Sequence, residues 1–406
     1  MDAKQPELKR ALGLTSLTLY GLGTIIGAGI YVLVGAVAGR SGMSAPLAFL
    51  LAGVLAAFTG LSYAELGQRL PEAAGAAAYA REGFKSHWMG RLAGFMTLAV
   101  ALVAAASVAR GGAGYLLQMV DIPLPFASGA VIIAFTALAA WGVKESVFIA
   151  AAMTVIEAFG LVLVIVVGGD ALGDLPARLG EMWPHAVWDG ADAWSGVMAG
   201  AFLAFFAFAG FENIVNMAEE TKDVSRTLPR AVVLSIIISA ALYMLVILIS
   251  VLRIAPETLA ESTAPLCLVV DCEKSTMAFF APIALIATLN GVLIEIVLMS
   301  RVAYGMARRG WLPKLMADVH LHRRTPLKAT LVVGAIVFAL TSLVEFEILA
   351  KATSAMLLVV FLVVNLSLIR LKQIDPAPDL AFRVPNWAPV AGALSSIVLL
   401  GAEVLA

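Results

Sequence analysis

The stretch GTIIGAGI, residues 23–30, lies inside a long apolar run and contains three glycines. Gly21 comes just before it, so four glycines fall within nine residues. Glycine is a poor helix former, and each unpaired backbone N–H or C=O group costs several kcal/mol in hydrocarbon. A continuous membrane helix would be weakened here. The stretch therefore raises the question of what a break in this helix provides.

The composition of the chain is that of a protein that crosses a membrane many times. Of its 406 residues, 61% are hydrophobic and 14% are charged, whereas an ordinary soluble domain carries about 25% charged residues. Apolar runs of about 20 residues recur from end to end. We therefore predict an all-α polytopic protein embedded in a lipid bilayer. No basic cluster points to a nucleic-acid partner.

The apolar runs predict about eleven spans. Their approximate limits are 13–39, 43–68, 88–119, 125–143, 146–168, 194–218, 229–252, 278–306, 327–345, 349–370 and 387–406. Lys and Arg concentrate in alternate connections between spans, beginning with the N-terminal segment. The positive-inside rule therefore places that segment on the cytoplasmic side of a cell membrane. The sequence ends almost at its last apolar residue, so a further, twelfth span is an alternative to eleven.

A second span also looks unable to run continuously. Gly210, Glu212 and Asn213 interrupt span six, AFLAFFAFAGFENIVNMAEE, residues 201–220. Glycine in one membrane helix is explained by close helix packing, and a dinucleotide fingerprint needs a preceding strand, which is absent here. Two interrupted spans in matching positions of two five-helix repeats instead indicate a transporter site. Unwound backbone can hold a carboxylate at N–H groups and an ammonium or cation at carbonyl groups.

Five segments resemble motifs of the amino acid–polyamine–organocation superfamily, in the superfamily's order. They are GLGTIIGAGIYVLVG, SYAELGQRLPEAAGAAAYAREGF, GVKES, FFAFAGFENIVNMAEETKDVSRTLPRAV and TLNGVLIEIVLMSRVAYGMARRGWLPKLMADVHLHRRTP, between residues 21 and 326. The resemblance implies a LeuT-like 5+5 inverted repeat with about one extra C-terminal helix and discontinuous helices 1 and 6. The implied parts are a cytoplasmic segment 1–12, a first repeat 13–168, an extracytoplasmic loop 169–193, a second repeat 194–370, and a loop with helix eleven, 371–406.

The resemblance also implies a substrate site at the two breaks. It puts a substrate carboxylate against the backbone of Ile26, Gly27, Ala28 and Gly29, with Ile25 lining the pocket. On helix six, Phe206 would pack over the substrate, unless it is only a core residue. Carbonyls near Ala209 and Gly210 would take the amino group, and Glu212 matches an acidic position near the break.

Two carboxylates inside predicted spans are candidates for ion coupling. Each costs about 2.5–3.5 kcal/mol to insert near the membrane centre. Glu157 lies where some relatives carry a lysine whose proton cycle replaces a sodium ion. It can carry a proton, ligate a cation or form a structural ion pair. Glu295 lies where relatives usually carry a small or apolar residue. It can share a proton with Glu157 if the two are neighbours, or pair with a basic group.

Other residues are less informative. Arg110 is expected to snorkel outward, to pair with Glu157 or Glu295, or to face the vestibule and select anionic side chains. Glu65 and Arg69, one helical turn apart, suggest an interfacial ion pair. Cys267 and Cys272 are expected to be unrelated free thiols, with a small disulfide as the minority alternative.

The sequence as a whole predicts a secondary transporter of amino acids or related amines, working by alternating access and coupled to protons. Exchange, sodium coupling and a transport-inactive sensor are the alternatives. No nucleophile-and-base arrangement, phosphate loop or metal-spaced cluster appears, so neither an enzyme nor a cofactor is expected. The sequence does not identify the substrate or the oligomeric state.

Overall fold

A computed structural model of the protein describes residues 12–27, 29–71, 75–141, 143–184, 190–272, 278–308, 310–320, 325–376 and 380–405. Ala28, one of the residues predicted to bind substrate, lies outside these ranges. The predicted cytoplasmic segment 1–12 also lies outside them, except for its last residue, Leu12.

The described chain is built from α-helices. They are α1 (Leu14–Ile26), α2 (Ile30–Ser41), α3 (Ala45–Arg69), α4 (Gly75–Phe84), α5 (His87–Leu117), α6 (Leu124–Trp141), α7 (Val143–Gly168), α8 (Leu175–Arg178), α9 (Gly190–Ala207), α10 (Phe211–Ile214), α11 (Val224–Arg253), α12 (Pro256–Glu261), α13 (Pro265–Val270), α14 (Phe280–Arg308), α15 (Leu327–Leu343), α16 (Phe346–Ile374) and α17 (Trp387–Leu405). Short 3₁₀ turns occur at Gly42–Ser44, Gly169–Asp174, Leu179–Met182, Val215–Glu220 and Lys314–Ala317.

Nine helical segments of the described residues are long and apolar enough to cross a membrane. Two shorter apolar helices, α1 and α15, fall in predicted spans one and nine. Span one is divided between α1 and α2, and span six between α9 and α10. The predicted all-α polytopic fold with discontinuous helices 1 and 6 is therefore confirmed.

The interrupted helices lie in the centre of the bundle. α1 packs against α11 and α7, α2 packs against α9, and α14 packs against both α5 and α7. Phe202, Phe205 and Phe206 of α9 are at most 1% exposed. Large apolar side chains on the outer helices are instead exposed, among them Phe126, Ile133, Trp141, Val155, Phe159 and Val166. Exposed apolar side chains such as these suit contact with the hydrocarbon of a lipid bilayer, where no water meets them.

A buried charge network joins α3 to the segment before α17. Glu65 is 0% exposed and accepts hydrogen bonds from Arg69 Nε, at 2.9 Å, and from the backbone N–H of Val384, at 2.8 Å. Its other ion pair is with Lys372, at 2.9 Å. The predicted Glu65–Arg69 pair is confirmed, but it is buried and belongs to a network that connects three parts of the chain.

The expectation of two free thiols is wrong, because Cys267 and Cys272 form a disulfide with their Cα atoms 5.0 Å apart. Asp271 ends α13 with a φ of 60°, in the left-handed region. This residue reverses the chain, and the N–H of Cys272 donates to the carbonyl of Cys267 at 3.0 Å. The turn therefore brings together two thiols whose pairing the spacing alone left undecided.

Candidate functional site

The first break lies between α1 and α2 and allows two backbones to touch. A β-carbon on Gly291 of α14 would lie 2.3 Å from the carbonyl oxygen of Gly27. A β-carbon on Gly27 would lie 3.1 Å from Oε1 of Glu157 and 3.1 Å from the backbone nitrogen of Gly291. Gly27 itself has ordinary helical angles, with φ −62° and ψ −15°. These glycines therefore provide space for close approach rather than an unusual conformation.

The second break lies between α9 and α10 and depends on backbone conformation. Gly210 has a φ of +116°, which L side chains rarely adopt, and a β-carbon there would lie 2.4 Å from the carbonyl oxygen of Thr24. Glu212 Oε2 accepts a hydrogen bond of 2.8 Å from the N–H of Gly210. A carboxylate thus caps the restarted helix, as expected for the positive end of a helix.

Two hydroxyl groups tie the breaks together. Thr24 Oγ1 lies 3.0 Å from the carbonyl oxygen of Gly210. Tyr243 of α11 is 0% exposed, and its hydroxyl lies 2.9 Å from the carbonyl of Ile25 and 3.0 Å from that of Ala207. These carbonyls belong to the last turns of α1 and α9, where a helix leaves carbonyl groups without intrahelical partners. One tyrosine therefore serves the ends of both half-helices.

A cavity of about 10 Å³ lies beside the breaks, roughly the room that one water needs. It is lined by Thr24, Ala104, Val108, Ala209, Gly291, Ile294 and Glu295. These residues come from α1, α5, the α9–α10 connection and α14. The cavity therefore lies where the two interrupted helices face two continuous ones.

Of the predicted substrate residues, one lines this cavity, and others lie on the same interrupted helices. Ala209 lines it, and the ring of Phe206 is 0% exposed and would lie 3.8 Å from a β-carbon on Gly29. Ile25 and Ile26 are buried in the core, at 0% and 1% exposure. The structure therefore brings helices one and six together at the predicted breaks.

Sequence reasoning missed five of the lining residues, namely Thr24, Ala104, Val108, Gly291 and Ile294. Thr24 directly precedes the predicted stretch of site residues, and Gly291 follows Asn290 inside an apolar helix. This asparagine–glycine pair inside a membrane helix could have identified Gly291 as a candidate site residue from the sequence. Ala104 and Val108 give no such signal, because α5 has no charged residue between Arg91 and Arg110 that would distinguish one of its faces from another.

Glu157 is 0% exposed and has no basic partner among the described residues. Its Oε2 accepts a hydrogen bond of 3.1 Å from Nδ2 of Asn290, which also donates to Thr154 Oγ1 at 3.0 Å. Oε1 of Glu157 and Oδ1 of Asn290 are buried without a hydrogen-bond partner in the part of the chain that the structure describes. The structural ion pair considered for Glu157 is thus not formed with any residue that the structure describes.

Glu295 interacts electrostatically with Glu212, whereas the polar partner of Glu157 is Asn290. The two predicted coupling carboxylates thus have different surroundings. Within the described residues Arg110 forms no ion pair with either carboxylate, and its Nη1 donates to the carbonyl of Thr341 on α15 at 2.6 Å. Of the alternatives for Arg110, its pairing with a carboxylate is therefore wrong.

Comparison with known proteins identifies the family. A family model described as amino acid permease matches residues 12–403. An uncharacterized transporter of Mycobacterium tuberculosis is 31% identical over 97% of this chain and 86% of that protein. The branched-chain amino acid permease of Bacillus subtilis is 29% identical over 96% of this chain and 86% of that protein. The vacuolar cationic amino acid transporter 2 of Arabidopsis thaliana is 29% identical over 91% of this chain and 61% of that protein.

The family match covers nearly all of the described helices, including both interrupted ones. The motifs that resembled the amino acid–polyamine–organocation superfamily all lie within the matched residues. This chain therefore belongs to the amino acid permease family of that superfamily.

Proposed function

We propose that this protein is a secondary active transporter that carries amino acids or related amines across the cell membrane, with its N-terminus in the cytoplasm. The observation that carries the proposal is the meeting of two interrupted helices at a central cavity, held by Tyr243. The names of relatives, one for branched-chain and one for cationic amino acids, support the substrate class.

The substrate carboxylate binds at the first break. The first turn of α2 follows Gly29, and the N–H groups at the start of a helix favour an anion there, which supports the expectation of a carboxylate at the segment Ile26 to Gly29. The amino group binds at the second break. The Gly210 carbonyl already accepts from Thr24 and from the N–H of Asn213, so the neighbouring carbonyl of Ala209 is the better acceptor. Ile25 and Phe206 supply the apolar surroundings, and Glu212 holds the break in shape.

The size of the cavity supports alternating access. A space of about 10 Å³ cannot hold an amino acid, so the helices must separate for substrate to enter. Contacts at the two ends of the interrupted helices can open in turn. Near the start of α1, the N–H of Leu12 donates to the carbonyl of Glu220 at 3.0 Å. In the last turn of α2, Arg40 pairs with Glu347 of α16.

Glu157 is the proposed coupling residue, with Glu295 as the second candidate. The buried carboxyl of Glu157 lies beside the Gly27 backbone. Binding or release of a proton at this carboxyl can therefore act directly on the geometry of the first break. Sodium coupling is the variant that a specific observation favours, since Oε1 of Glu157 and Oδ1 of Asn290 are two buried oxygen atoms without hydrogen-bond partners among the described residues. Oxygen ligands of this kind suit a hard cation.

The test is uptake of a panel of radiolabelled amino acids into proteoliposomes, with an inward proton gradient, an inward sodium gradient or neither. Proton symport predicts accumulation driven by the proton gradient alone. In Glu157→Gln this accumulation is lost while exchange against internal amino acid persists. The control is Glu257→Gln, which removes an exposed carboxylate of α12 and leaves accumulation unchanged.

Each other result points to a different function. Accumulation driven by sodium identifies the sodium-coupled variant. Flux that requires internal amino acid identifies an exchanger and makes Glu157 a structural residue. Ligand binding without any flux contradicts transport and identifies a sensor.

A further inference from the structure

The carboxyl group of Glu295 is an unusual part of the cavity wall. It lines the cavity, and in the described part of the chain it forms no ion pair. The residue is half-buried, and its Oε2 atom is buried without a hydrogen-bond partner among the described residues. A buried acceptor without a donor is costly, since its interaction with water has been lost and not replaced. A ligand that brings a donor or a positive charge would satisfy it.

The other residues of the cavity wall offer few polar groups that could bind such a ligand in place of Glu295. Ala104, Val108 and Ile294 are apolar, and Thr24 already hydrogen-bonds to backbone carbonyls. Glu295 is the ionisable side chain among these lining residues. Its neighbour Glu212 is also an acid, and no basic side chain among the described residues lines the cavity, so nothing in this wall pairs with an anionic side chain. The wall therefore disfavours an anionic side chain and favours a cationic one.

The position of Glu295 along α14 matches the length of a basic side chain. Gly291 touches the first break, and Glu295 follows four residues later on the same face. Four residues correspond to a rise of about 6 Å. A substrate whose carboxylate and amino group are held at the breaks can therefore extend a chain of three or four methylenes along Ala104 and Val108. Such stems are the part of lysine and arginine that packs on apolar surface.

We propose that Glu295 forms the side-chain subsite of the transporter and pairs with a terminal ammonium or guanidinium group, so that the preferred substrates are cationic amino acids. This inference rests on the proposed function, and it assigns Glu295 to substrate selection rather than to ion coupling. A branched-chain substrate would leave the buried Oε2 without a donor.

The first experiment compares lysine, leucine and norleucine as substrates of the wild-type protein in proteoliposomes. Norleucine has the stem of lysine without its ammonium group. We expect wild-type kcat/KM for lysine to exceed that for norleucine by roughly tenfold or more. Glu295→Gln should lower the lysine-to-norleucine ratio by about the same factor. The charge-matched control Glu257→Gln, exposed on α12, should keep the wild-type ratio.

Four results would overturn the inference. Wild-type preference for norleucine or leucine over lysine contradicts it without contradicting amino-acid transport. A lysine-to-norleucine ratio unchanged in Glu295→Gln does the same. Equal loss of gradient-driven accumulation for all three substrates in that variant assigns Glu295 to coupling instead. Absence of transport and of binding for every amino acid in the wild type removes the proposed function itself.

If Glu295→Gln does not fold, the wild-type protein still decides the question. Lysine should raise the apparent unfolding temperature of the purified protein at concentrations where norleucine does not, because only lysine supplies the missing donor. Equal shifts from the two ligands contradict the inference.

Discussion

The two helix breaks look alike in sequence but are made in different ways. Gly27 has ordinary helical angles and is needed because α14 and Glu157 lie against it. Gly210 has a φ of +116° and is needed because other residues rarely adopt that conformation. Gly27 is therefore limited by the space around it alone, whereas Gly210 is limited both by its own backbone conformation and by the Thr24 carbonyl of α1.

The difference matters for how the site can move. Two of the three nearest contacts of a β-carbon on Gly27 come from other helices, Glu157 of α7 and Gly291 of α14, so separation of α1 from α7 and α14 relieves most of the constraint on that residue. The conformation of Gly210 is local and is held by Glu212 two residues later. We therefore expect the first break to change more during the transport cycle and the second to act as a fixed element.

Among the tests of this comparison, we expect the largest effects from replacing Gly210 and Gly27 by alanine. Gly210→Ala combines backbone strain, about 1–3 kcal/mol, with a steric clash, because the new β-carbon lies 2.4 Å from the Thr24 carbonyl oxygen. Gly27→Ala needs no strained backbone and must displace neighbours only slightly, from 3.0–3.1 Å. We expect Gly210→Ala to abolish uptake and lower the apparent unfolding temperature, and Gly27→Ala to reduce uptake partly.

Gly305→Ala is the matched control, because no atom lies within 4 Å of a β-carbon there. It should behave like the wild type in both assays. If Gly27→Ala is as damaging as Gly210→Ala, or more so, the distinction between the breaks is wrong.

Tyr243→Phe tests whether the two breaks act together. It removes one hydroxyl that serves both Ile25 and Ala207 and leaves buried carbonyls without this donor. The expected loss of stability is about 1–3 kcal/mol, with lower uptake. Tyr304→Phe is the control, since the Tyr304 hydroxyl has no hydrogen bond within the described residues. Wild-type stability and uptake in Tyr243→Phe would contradict a bridging role.

Thr24→Val is the smallest of the tests and concerns the direct link between the breaks. Valine keeps the shape of threonine but loses the hydrogen bond to the Gly210 carbonyl, which costs about 0.5–1.5 kcal/mol. Thr97→Val, whose hydroxyl bonds only to Ala93 in its own helix, is the control. A larger apparent loss for Thr97→Val, measured by thermal unfolding in detergent, would contradict the proposed link.

The sequence predicted the features that depend on neighbouring residues. Composition and the length of apolar runs predicted a polytopic helical protein, and clustered glycines predicted the interruptions at 23–30 and at Gly210. The Glu65–Arg69 pair followed from helical spacing, but its burial and its contacts with Lys372 and Val384 did not. These partners are more than 300 residues away along the chain.

A local turn and a contact between segments that are distant in the sequence explain the incorrect and missing predictions. Pairing of Cys267 with Cys272 depends on the turn at Asp271, which the spacing does not reveal. The partner of Arg110 is a carbonyl group on α15, and a backbone atom gives no signal in the sequence.

By itself, then, the amino-acid sequence determined that the chain lies in a membrane, which helices are interrupted, and which carboxylates lie inside spans. These are properties of composition and of short segments. Only the tertiary structure decided that Gly291 touches Gly27, that Glu157 meets Asn290 and that Glu295 lines the cavity. The physical reason is that apolar helices can pack on several faces. The rotation of each helix is chosen by contacts with distant segments rather than by its own pattern.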